Sequence, residues 1–122
     1  FYLHVAPGRC FVGGGLWHPE SATVKRVRDF LVDNPATWKK AVQGKRFREQ
    51  FELDGESLTR PPRGYDPAHE LIEDIKRKDF VATRHFSDAE AISPQLPKIV
   101  IDGCKRIAPM IDYLCAALDL EF

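Results

Sequence analysis

The sequence predicts an α+β fold: a small antiparallel sheet (a hairpin plus at least one further strand), several packed helices, and a long kinked helix at the C-terminal end. Three observations predict it. The aromatic and β-branched runs Phe1–Val5 and Cys10–Val12 flank Ala6-Pro7-Gly8-Arg9, and Pro-Gly between two such runs signals a hairpin turn. Residues Phe80–Phe86 read as another strand. Leu96, Val100, Gly103, Ile107, Met110, Leu114 and Ala117 recur at alternating four- and three-residue steps, one continuous apolar stripe of a helix.

Between these elements the punctuation is local. Gly13-Gly14-Gly15 follows the hairpin but fits neither GxGxxG nor GxxxxGK[ST]. A bulge or a close approach of two chain segments is the favoured reading, and a ligand-lining segment of Gly14, Trp17 and His18 the competing one. Pro19 suits the first turn of a helix whose Val24, Val27 and Leu31 fall on one face, with Phe30 alongside. Asn34 as cap and Pro35 as first residue open a second helix that Gly44 closes. Phe47 and Phe51, four apart, place a short third helix. Asp66 caps and Pro67 opens a fourth, buried through Leu71, Ile72 and Ile75. Ser87 with Glu90 forms a capping box for a short fifth helix. Pro109 is expected to kink the last helix, because it removes a backbone donor and crowds the preceding turn.

The 122 residues fit one domain, and 43% hydrophobic with 11% aromatic residues suits a globular core. Lys plus Arg and Asp plus Glu balance at 18 each, so no global field draws the chain to nucleic acid or an anionic membrane, and neither partner is expected. Cys10, Cys104 and Cys115 are odd in number and lack CxxC spacing, which argues for reduced thiols in a cytoplasmic setting. His4, His18, His69 and His85 never stand three or four apart, so no metal site is read and no cofactor is implied. No GxSxG signals a nucleophile.

The densest chemistry lies in Thr59–His69 and in Lys76-Arg77-Lys78-Asp79-Phe80. Arg60 and Arg63 bracket two prolines that hold them at nearly fixed separation, and Gly64 and Tyr65 follow. Planar guanidinium groups match carboxylate and phosphate, so Arg60, Arg63, Tyr65, Lys78 and Arg84 are read as the wall of a pocket for a small anionic ligand. Gly14, Trp17 and His18 would stand opposite. If chemistry follows binding, His69 or Asp66 carries the proton. The competing reading puts the arginines in structural ion pairs and makes the chain a non-catalytic interaction or assembly module that docks through its final helix.

Four segments in order, Phe-Tyr-Leu-His-Val-x-Pro-Gly, Phe-Val-Gly-Gly-Gly-Leu-Trp-x-Pro, Arg-Pro-Pro-Arg-Gly-Tyr-Asp-Pro-x-His and Lys-Arg-Lys-Asp-Phe, resemble the domain of unknown function family 2461, widespread in bacteria and fungi. Members are longer, so the resemblance implies that residues 1–122 form the C-terminal part of a domain whose N-terminal half is absent. Packing against that half or a partner chain is then expected. The family is uncharacterised, and the resemblance implies no catalytic assignment.

Overall fold

The Pro-Gly turn joins β1 (Tyr2–His4) to β2 (Cys10–Leu16) as an antiparallel hairpin, with Tyr2 opposite Gly13 and His4 opposite Phe11, in the computed structural model, which describes residues 1–120. β4 (Phe80–Phe86) lies along the other side of β2, paired from Cys10–Phe86 to Leu16–Phe80. The sheet is closed on the far side by β3 (Glu52–Asp54), giving four antiparallel strands in the order β1-β2-β4-β3. Sequence reading missed β3. Three residues give no measurable alternation, and only its pairing with Val81–Thr83 makes Glu52–Asp54 a strand.

Six helices complete the fold: α1 (Ser21–Asp33), α2 (Pro35–Val42), α3 (Lys45–Arg48), α4 (Ile72–Ile75), α5 (Asp88–Ala91) and α6 (Leu96–Ala117). Strand alternation with the observed register puts Cys10, Val12, Gly14, Phe80, Ala82 and Phe86 on one face, where they join the core beneath α6. The apolar stripe of α6 supplies Ile107, Met110 and Leu114 to the same core, and α1 and α2 pack against its flank with Leu31 and Trp38. Tyr113 ties these helices together: its hydroxyl proton is shared between the carbonyls of Phe30 at 3.1 Å and Asn34 at 2.9 Å. α6 continues as a helix through Pro109. Among the described residues, no helix is long and apolar enough to cross a membrane.

The glycine triplet is part of β2, and close approach explains it. Gly15 takes φ 125°, and a side chain there would run into the Phe80 carbonyl of the neighbouring strand. The helix expected from Asp66–Pro67 onwards shrinks to the single turn of α4. Asp66 accepts a bond from the Ala68 amide at 2.9 Å, which closes a local turn instead of capping a helix. Pro19 precedes α1 by two residues, with Glu20 as its cap. Gly44 keeps an ordinary φ of −70° and caps α3. Asn34 accepts no amide bond from α2, and its side-chain amide donates back to Phe30. The capping box at Ser87 and Glu90 forms with both bonds present.

Ile107 is fully buried and Ile101, on the same helix, is 57% exposed. We expect Ile107→Ala to lower unfolding free energy in urea by about 2–5 kcal/mol through lost transfer energy and the cavity left behind. Ile101→Ala should stay within about 0.5 kcal/mol.

Candidate functional site

A carboxylate that is 1% exposed stands at the entrance of β4: Asp79. Burying such a group is costly unless both oxygens find donors. One oxygen accepts the backbone amide of His18 at 2.7 Å and the other that of Glu56 at 3.0 Å. The donors come from two separate connections, β2 to α1 and β3 to α4, so a single side chain sews both to the start of β4. The backbone adapts to it. Gly55 takes φ 94°, and any Cβ there would lie 2.5 Å from that of Asp79. His18 adopts φ 50°, a left-handed conformation that costs a non-glycine residue about 1–2 kcal/mol. Its imidazole is 66% exposed, with Nδ1 3.7 Å from Asp79.

Around this knot lies a cleft of about 380 Å³ bordered by His18, Ser21, Arg28, Glu56, Lys78 and Asp79. The first turn of α1 opens here, and no side chain caps its amides, which leaves the positive end of the helix dipole facing the cleft. Arg28 is held by the end of the α4 turn: its Nε donates to the Ile75 carbonyl at 2.7 Å and Nη2 to that of Arg77 at 3.1 Å. Burial pulls the guanidinium below its ordinary value. Lys78 is fixed through its backbone, with its amide donating to the Glu56 carbonyl at 2.8 Å, while its ammonium keeps only a loose 3.8 Å pair with Glu56.

The arginine loop runs beside this cleft between two fixed points. Leu58 borders the cleft and donates its amide to Lys76 at 2.8 Å; Tyr65 donates its hydroxyl to Asp29 on α1 at 2.6 Å. Arg60 and Arg63 lie exposed between them, and among the described residues neither makes an ion pair or hydrogen bond. Burial, and then the bond to Asp29, push the Tyr65 phenol up to about 12. The Asp29 carboxyl is held below its usual range by Lys25 and then by Tyr65.

The structure therefore divides the residues singled out from sequence. Lys78 and His18 share the cleft, with Arg60 and Arg63 on the adjoining loop. Tyr65, Asp66 and His69 border a separate groove with Asp29 and Asp33, whose carboxylates repel an anion. His69 Nδ1 accepts the Leu71 amide at 3.0 Å, which fixes its tautomer in a local turn. Arg84 is half-buried on the helix-covered face opposite Val12, and its Nη1 has no hydrogen-bond partner among the described residues. Gly14 lies beneath α6, where a Cβ would sit 3.1 Å from Ile107 and 3.2 Å from Ile111. Trp17 borders the uncovered face and packs edge-on against His18, ring centres 4.6 Å apart. Among the described residues no three His, Cys, Asp or Glu side chains gather as metal ligands would.

Two of the four sequence segments that stand out, those containing Trp17-His18-Pro19 and Lys78-Asp79, meet at this corner, and the arginine loop leaves it past Leu58. The model of a family described as a conserved hypothetical protein, DUF2461, matches residues 1–113. The chain belongs to the DUF2461 family. No curated protein and no solved structure matches it. The central residue of the corner in this DUF2461 chain, Asp79, was not singled out from sequence, although an acid trapped between a basic run and a buried strand is its one local signal. Arg28 gave none: it is one of several cations along α1.

Asp79→Ala removes two charge-assisted bonds from a buried site, and we expect a loss of about 3 kcal/mol in chemical denaturation, with Asp79→Asn retaining part of it. Ultraviolet titration should show one phenol ionising near pH 12, and Asp29→Asn should move it toward the ordinary tyrosine value of 10.0. Since the folded phenol is raised, the bond's stabilisation is complete below the unfolded value of about 10 and is lost as pH climbs through 12.

Proposed function

We propose that this chain binds a small anionic ligand, phosphate- or carboxylate-bearing, in the cleft at the start of α1. The observation that carries this reading is the convergence of Lys78, Arg28 and His18 on the uncapped first turn of α1. Within the cleft Lys78 is the most available cation, because among the described residues its ionic partner is a long contact with a largely exposed carboxylate. Arg28 contributes charge from a position fixed by two carbonyls, and so loses little freedom when an anion arrives. Glu56 and Asp79 limit the net charge. Asp79 is already engaged by two amides, however, and Glu56 is free to swing away from Lys78.

Arg60 and Arg63 support the same reading from the adjoining loop. Prolines hold their backbone, and no acidic side chain among the described residues neutralises them. The apolar stripe of α6, on which an assembly role would rest, is buried inside this chain through Ile107, Met110 and Leu114.

Calorimetric titration with orthophosphate and with citrate at low ionic strength tests the reading. Lys78→Ala should weaken binding about tenfold or more, the Arg60→Ala/Arg63→Ala pair should weaken it further, and Lys105→Ala on exposed α6 surface should leave it unchanged. A flat titration, or an affinity indifferent to Lys78, would overturn it.

A further inference from the structure

The cleft has a neighbour around one corner of the sheet. The face of the sheet away from the helices carries a groove of about 600 Å³, bordered by Tyr2, Phe11, Trp17, Asp54, Thr83 and His85 among others. The two hollows share their walls through the chain itself. Trp17 borders the groove and the next residue, His18, borders the cleft; Asp54 borders the groove and Glu56 the cleft. Adjacent residues stand about 3.8 Å apart, and a two-residue step spans at most about 7 Å. Asp79 fixes this corner, because the amides it holds are those of His18 and Glu56.

The groove offers rings on its walls and hydrogen-bonding groups below. Trp17 packs edge-on against His18 and is still 56% exposed, a large apolar surface left open to the groove. Tyr2 and Phe11 meet edge-to-face with ring centres 5.8 Å apart. Thr83 is only 4% exposed, yet its hydroxyl has no hydrogen-bond partner among the described residues. A buried hydroxyl left unbonded is a standing cost that a polar ligand edge removes. Among the described residues Asp54 accepts the amide of its neighbour Gly55 alone, at 2.8 Å, which leaves its carboxylate able to receive further donors. Aromatic faces beside a carboxylate and a hydroxyl suit a flat heteroaromatic ring with donors on its edge.

Building on the anion site assigned above, we propose that the ligand is a nucleotide, its phosphate held in the cleft by Lys78 and the first turn of α1 and its base stacked beside Trp17, with ring-edge donors meeting Asp54 and Thr83. The ribose turns the corner between the two hollows.

Calorimetry on the 122-residue chain with orthophosphate, ribose 5-phosphate, AMP, GMP and a short single-stranded oligonucleotide tests this. At least one mononucleotide should bind about tenfold or more tighter than orthophosphate and ribose 5-phosphate. Trp17→Ala should erase that advantage and leave orthophosphate affinity unchanged, whereas Lys78→Ala should weaken every probe. Independently of any variant, the nucleotide should quench the exposed Trp17 emission and orthophosphate should not, because Trp38 is buried in the core. Orthophosphate binding with no gain for either mononucleotide would overturn the nucleotide assignment while leaving the anion site standing. No binding by any probe would overturn both. Equal affinity for ribose 5-phosphate, or tighter binding of the oligonucleotide, would also overturn the assignment, in favour of a sugar phosphate or a nucleic acid respectively.

Discussion

Two short hydrogen bonds to one buried carboxylate hold the cleft end of this molecule together. Asp79 cannot sit at the root of β4 without donors, and among the described residues the amides of His18 and Glu56 supply its hydrogen bonds. Those amides belong to two connections, the second of which is also tied to residues 76–78 by the Lys78–Glu56 and Leu58–Lys76 backbone bonds. By satisfying Asp79 they acquire a fixed position, and everything bordering the cleft inherits it: the start of α1, Lys78, and the first anchor of the arginine loop. The left-handed backbone at His18 and the glycine at position 55 are the local conformational cost of that arrangement.

Behind this corner the sheet supplies rigidity. β2 and β4 pair along seven residues, and α6 lies across them with an apolar stripe that has no other place to go. Glycines in β2 allow the neighbouring segments to come close, so the covered face becomes dense core. The opposite face is lined by rings and polar groups and is left open. One face of the sheet thus carries the core, and the other carries a groove, with the cleft at its edge.

Charge is distributed in the same spirit. The chain is neutral overall, yet acidic and basic residues segregate along α1. The cleft at its first turn gathers Lys78 and Arg28 with Glu56 and Asp79, and the separate groove is bordered by Asp29 and Asp33, with the Tyr65 phenol bonded to the former. A loop of two arginines runs between these regions, and Asp29 on α1 is bonded by Lys25 and Tyr65.

Much of the fold could be read from the chain because its signals are local. The Pro-Gly hairpin, the β-branched strand at Phe80–Phe86, the capping box at Ser87 and the four–three stripe of α6 each depend on residues within a few turns of one another. The supply of basic residues was legible too, from composition and spacing. Their grouping was not, because it follows from long-range contacts. β3 exists only through its pairing with β4, and the helix expected at Asp66 gave way to a turn beside Tyr65, whose hydroxyl bonds Asp29 on α1. Residue types and local periodicity determined the elements and the supply of cations. Tertiary structure alone decided which cations face one cleft, because that rests on a buried acid joining two loops nearly forty residues apart in sequence.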